Sequence, residues 1–161
     1  MQGRKPVYLI AVTILAGCGG VRSGGTQEVS GSGYSFSAPE AWSVTRASAT
    51  TAASSGAVDL VQVQTFRLVK PYRPELFAAA SRELDRVAGQ LAHQLAGRVV
   101  SSASAEVAGR DSRTYGIEYR DRVDEITFVL DGLREYELLC RRAASSDGTT
   151  CRRFVGSFAL D

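Results

Sequence analysis

Few side chains of this chain are of a type and spacing that could do chemistry. His93 is its only histidine. A Ser-His-Asp hydrolase needs its histidine to reach both a nucleophile and a carboxylate, and the Gly-x-Ser-x-Gly motif is absent. His93 falls on the polar side of a helical pattern, which predicts a solvated residue and not a general base. Glu118, Asp121, Asp124 and Glu125 cluster along one hairpin and have the types needed for a carboxylate pair or a calcium site. Arg120 and Arg122 are interleaved with them, so a charge-balanced, solvated hairpin is expected. Arg141, Arg142, Arg152 and Arg153 form the most promising set. If Cys140 and Cys151 are joined, both arginine pairs gather about the bridge as a patch able to take phosphate or carboxylate bidentately. The alternative is four solvated arginines flanking a loop whose Asp147 offsets part of the field. No catalytic residue, metal site or cofactor is expected: two thiols and a distant histidine lack zinc's ligand count and spacing, and no phosphate-cradling glycine loop occurs.

The N-terminus supplies an address. Arg4 and Lys5 precede an apolar run, Val7 to Leu15, and then the tetrad Leu15-Ala16-Gly17-Cys18. This stretch resembles a bacterial lipoprotein signal, shorter than the ~20 apolar residues of a membrane span. The resemblance implies removal of residues 1–17, a lipid on Cys18, attachment to the extracytoplasmic face of the cell membrane and an oxidising compartment. Cys140 and Cys151 are then an even pair, at a strand end and a helix start, and a disulfide between them is expected. The formal charge of +2 disappears with Arg4 and Lys5, so nucleic acid has no electrostatic case as a partner.

Residues 18–33, the lipidated cysteine and a Gly/Ser-rich stretch, read as a flexible tether before a single domain over 34–161. Tyr34 to Pro39 and Trp42 to Val44 suggest a small hairpin, and 45–56 a mobile loop. Val58 to Phe66 is a β-branched run with polar residues interleaved, hence a strand. Pro74 and Glu75 suit a helix start. Phe77, Ala80, Leu84, Val87, Leu91 and Leu95 then form one apolar stripe, with Gly97 as the stop. Four strands follow as a meander, Arg98 to Val107, Arg113 to Arg120, Val123 to Leu130 and Arg134 to Arg141, with Asp131-Gly132 marking a hairpin. Phe154, Val155, Phe158 and Leu160 mark a short terminal helix. An antiparallel sheet between one long and one short helix is implied, an α+β fold.

The opening Tyr34-Ser35-Phe36-Ser37-Ala38-Pro39 with Trp42, the turn Val107-Ala108-Gly109-Arg110 followed by Tyr115, and the closing Phe154-Val155-Gly156-Ser157-Phe158 resemble the PsbP-like family, in its actinobacterial LpqN-type lipoprotein branch. The resemblance spans Tyr34 to Asp161 and implies an α/β/α sandwich. It also implies an accessory or binding role without catalysis, and it transfers no functional residue. A cystatin-like or nuclear-transport-factor-like roll is the alternative fold, which the hairpin and strand ahead of the main helix disfavour. Two functions remain open. One is a non-enzymatic binding or assembly module of the envelope, meeting an envelope protein or an anionic ligand. The other is a carrier holding a small apolar or lipid ligand between helix and sheet.

Overall fold

The computed structural model describes residues 24–161; the lipobox and Cys18 lie outside them. Strand periodicity organises the whole domain. The four strands of the meander are β6 (Arg98–Val107), β7 (Arg110–Tyr119), β8 (Arg122–Asp131) and β9 (Arg134–Ala143). Each pairs antiparallel with the next through a tight turn. The strand before the long helix, β5 (Asp59–Arg67), closes on β9, and β4 (Thr50–Ser55) and β3 (Ser43–Ala47) extend the edge. The result is a seven-stranded antiparallel sheet, ordered β3-β4-β5-β9-β8-β7-β6. Consecutive antiparallel neighbours need no crossover, and the one long connection, from β5 to the far edge strand β6, is carried by the long helix.

The two faces of this sheet carry separate cores, because alternate residues of a strand point to opposite sides. On one face α1 (Phe77–Gln94) sets Leu84, Ala88 and Ala92 against Tyr115, Ile117, Ile126 and Phe128. A polar clamp fixes its height: Asp85 accepts hydrogen bonds from the Tyr115 hydroxyl at 2.6 Å and from Arg113 at 2.7 Å. The other face holds Val61, Val63, Tyr136, Leu138 and Cys140. It is covered by α2 (Thr149–Ser157) and a small sheet of β1 (Thr26–Gly31), β2 (Tyr34–Pro39) and β10 (Ala159–Leu160), ordered β1-β2-β10. Phe36 meets Phe154 edge-on at 5.1 Å between centroids, a favoured aromatic geometry. The expected disulfide is present, with Cys140 of β9 joined to Cys151 of α2 and both buried. The expected α+β sandwich is therefore the fold.

Several boundaries differ from expectation. The presumed tether contains β1, whose Val29 is fully buried, so ordered structure begins well before residue 34. Residues 34–39 do not pair with 42–44; β2 lies between β1 and β10. The presumed loop 45–56 is largely the β3–β4 hairpin, where small Ala52 and Ala53 are buried by neighbours and not by their own bulk. Phe158 and Leu160 lie beyond α2, in extended chain that adds β10. Gly97 does follow the long helix, although the left-handed residue there is Ala96 (φ 51°). Glycine is required at 97 because a Cβ would stand 2.5 Å from the Glu118 carbonyl of β7.

Candidate functional site

Strand alternation decides the fate of the C-terminal arginines. Arg141 and Arg142 are consecutive in β9 and leave opposite faces of the sheet. Arg141 makes a bidentate pair with Asp124, Nε to Oδ1 at 2.8 Å and Nη2 to Oδ2 at 2.9 Å, on the α1 side. Those bonds hold the guanidinium's proton more tightly than usual. Arg142 pairs with Glu125 at 2.8 Å on the α2 side and donates to the Ser146 carbonyl. Arg152 is turned onto the loop, donating to the Asp147 carbonyl at 2.8 Å and to Thr149 at 3.0 Å. Arg153 is exposed on α2. The disulfide forms without gathering the four into one patch, and two of them are spent on carboxylates.

The same pairing accounts for the acidic cluster. Asp124 and Glu125 also face opposite sides, Glu118 meets Arg98 at 3.3 Å, and Asp121 is 4.0 Å from Arg122. The hairpin is charge-balanced as expected, but its principal cations come from the next strand and not from Arg120 and Arg122, and Asp124 is buried instead of solvated. His93 is exposed on α1. Among the described residues no group of three or more His, Cys, Asp or Glu side chains is placed to hold a metal, and no helix is long and apolar enough to cross a membrane.

The structure instead assembles three other arginines. Arg67 of β5 and Arg134 of β9 are direct cross-strand partners. They share the face that carries β1 and β2, since Val63 and Leu138 four residues away are paired in the same register within that core. Arg46 of β3 is opposite Thr51, which is in turn opposite Val63, so it faces the same way. All three line a groove of about 760 Å³ between the β1–β2 turn, the β3–β4 hairpin and the β8–β9 turn. Two are held by backbone: Arg46 Nε donates to the Ser30 carbonyl at 3.3 Å, and Arg134 Nη1 to the Ser32 carbonyl at 3.2 Å. Gly33 (φ +85°) belongs to this arrangement, because a Cβ there would lie 2.6 Å from Arg134 Nη1.

No carboxylate lies within 4.0 Å of any of these arginines among the described residues. Asp131, the last residue of β8 and the partner of Arg134 in register, gives its ion pair to Arg110 at 2.8 Å. Residues 1–23 contain no Asp or Glu that could supply a partner. Like charges directly opposite on neighbouring strands are destabilising, so the Arg67–Arg134 register raises the local positive potential, which the field of Asp131 offsets only in part. Sequence inspection missed this site because the three residues are far apart in the chain and meet only through the β5–β9 pairing.

A second concavity lies on the other face, where the start of α1 and the segment Leu68 to Tyr72 overhang β8 and β9. It is an apolar cavity of about 350 Å³ lined by Leu76, Ala80, Leu84 and Leu130, with Glu135 contributing a carboxylate. Burial pushes the carboxyls of Glu135 and its strand neighbour Glu137 above the usual range, and Glu137 is raised further by Glu135.

The sequence matches no family model and no curated protein. Solved structures do resemble it. The solution structure of cyanobacterial PsbP (CyanoP) from Synechocystis sp. PCC 6803 superposes with a TM-score of 0.63 at 14% identity, covering 91% of this chain and 99% of that one. The fold is PsbP-like. A crystal structure from Bacteroides thetaiotaomicron VPI-5482 gives a TM-score of 0.60 at 10% identity over 86% of this chain; the match spans about half of that longer protein, 48%. At these identities the PsbP-like likeness describes architecture and carries no site residue across.

Proposed function

We propose that this protein is an extracytoplasmic lipoprotein of the LpqN-type branch, anchored to the cell membrane through lipid on Cys18, whose PsbP-like domain acts as a non-enzymatic binding or assembly module. The observation that carries the reading is the groove of Arg46, Arg67 and Arg134, a preformed cationic concavity in which none of the three is ion-paired among the described residues. Guanidinium groups held by backbone carbonyls retain donors for a phosphate or carboxylate, and their orientation is fixed before the ligand arrives. An anchor of this kind confines the domain near the membrane, where raised effective concentration makes a weak contact usable. The partner is then an anionic ligand or an acidic envelope protein.

Crosslinked capture from native membranes tests this, with the wild-type chain compared against Arg46→Gln/Arg67→Gln/Arg134→Gln. Loss of captured partners with unchanged thermal unfolding is expected, and an identical captured set would remove the groove from the reading. Detergent phase partitioning tests the anchor: the wild type should enter the detergent phase and Cys18→Ala should remain aqueous. The apolar cavity beside Glu135 favours a second reading, a carrier of a small apolar ligand between helix and sheet. Its mark would be saturable uptake of N-phenylnaphthylamine that Ala80→Phe abolishes.

A further inference from the structure

We infer that the arginine groove is a site for a phosphorylated, polyhydroxylated ligand, a sugar or polyol phosphate. The inference rests on the binding-module reading above and names the ligand class of the same groove. The first argument is charge. Arg67 and Arg134 are held opposite one another in the β5–β9 register, with Arg46 on the same face of β3. Asp131, opposite Arg134 in the β8–β9 register, gives its ion pair to Arg110 at 2.8 Å, and Asp161, whose amide bonds the Gly33 carbonyl at 3.3 Å, forms no ion pair with the three arginines. An anion bound there relieves the repulsion and gains charge-assisted hydrogen bonds from forks whose geometry matches phosphate.

The second argument is size. The groove's 760 Å³ lies within the range of about 300–1,000 Å³ typical of small-ligand sites. A bare phosphate would leave most of it to water, so a ligand that uses the site extends beyond its anionic group.

The third argument is the chemistry of the remaining wall. Ser32, Ser48 and Thr65 line the groove, and their hydroxyls make no side-chain hydrogen bonds among the described residues. Hydroxyls both donate and accept, which suits the hydroxyls of a sugar or polyol. A purely apolar extension would leave them dry and unpaired, at a cost in binding free energy. The arginines therefore select the phosphate while the hydroxyl wall selects what is attached to it. A free sugar phosphate and the headgroup of a phosphoglycolipid share this chemistry, one as a phosphomonoester and the other as a phosphodiester.

Titration calorimetry of the full-length chain in detergent at low salt decides the matter, with inorganic phosphate, glucose, glucose 1-phosphate and glycerophosphoinositol as probes. Saturable binding of at least one phosphorylated probe is expected, about tenfold tighter than inorganic phosphate, with glucose alone silent. Preference for glucose 1-phosphate identifies the monoester source, and preference for glycerophosphoinositol the lipid headgroup. Arg67→Gln, at an exposed residue that makes no side-chain hydrogen bond among those described, should weaken binding about tenfold without changing thermal unfolding. Phosphate binding as tightly as both organic probes, or no binding by either, overturns the inference. If partner capture from membranes still depends on the three arginines, the binding-module reading survives that failure; if capture is also insensitive, both fall.

Discussion

Replacing Asp124 with Asn tests the claim that Arg141 is spent on structure and not on ligand. Asp124 is only 3% exposed, and its carboxylate accepts two bonds from Arg141 at 2.8 and 2.9 Å and one from the Tyr119 hydroxyl at 3.0 Å. Asn conserves the shape but loses the charge, and its NH2 group is set toward a guanidinium donor. Breaking a fully buried ion pair costs about 3–5 kcal/mol because a charge is stranded. The Arg141 side chain is 26% exposed, so water can partly rehydrate it, and a loss of about 2–3 kcal/mol is expected. For a domain of this size that corresponds to a fall in Tm of roughly 6–10 °C. Urea unfolding at neutral pH and low salt measures it directly. The double variant Asp124→Leu/Arg141→Met should recover most of the loss, since an apolar pair of similar volume removes both charges together. An Asp124→Asn variant within about 0.5 kcal/mol of the wild type would refute the reasoning.

Two further outcomes follow from the structure. Removing the Cys140–Cys151 bridge, which closes a loop of sequence separation 11, by Cys140→Ala/Cys151→Ala should cost about 2–3 kcal/mol in urea unfolding; unchanged stability would show that the closed loop constrains nothing. The carboxyls of Glu135 and Glu137 are raised by burial in the folded state, so the native protein binds more protons than the unfolded chain once pH exceeds the ordinary glutamate range, and stability falls as pH rises through the folded values. Glu135→Gln/Glu137→Gln should therefore be more stable than the wild type at neutral pH and converge with it in acid. Asp85, held below the usual range by Tyr115 and Arg113, contributes with the opposite sign, losing stability as pH falls through its folded value, and is common to both proteins. A variant less stable than the wild type at neutral pH would overturn the assignment.

Local chemistry made much of the fold legible. The meander from residue 98 to 141 could be read because its strands alternate and its turns carry their own signals, as at Asp131-Gly132. The long helix declared itself through an apolar stripe at three- and four-residue spacing, and the pairing of Cys140 with Cys151 through an even thiol count placed at a strand end and a helix start. What was misread is what has no local period. The β3–β4 hairpin is Ser, Thr and Ala, residues whose burial is set by what covers them. The β1 strand hides in a Gly/Ser-rich stretch because a single fully buried side chain, Val29, anchors it.

The candidate site belongs wholly to tertiary structure. Adjacent arginines at 141 and 142 look like a patch in a linear sequence, but β-strand alternation sends them to opposite faces and each finds a carboxylate of β8. Arg46, Arg67 and Arg134 look unrelated, yet the β5–β9 register and the β3–β4 hairpin place them on one face above the β1–β2 turn. Sequence by itself determined the α+β class, the run of the principal strands and the disulfide, because those depend on period, turn chemistry and count. Only tertiary structure decided which charges are neutralised and which remain available, because that depends on register between strands far apart in the chain.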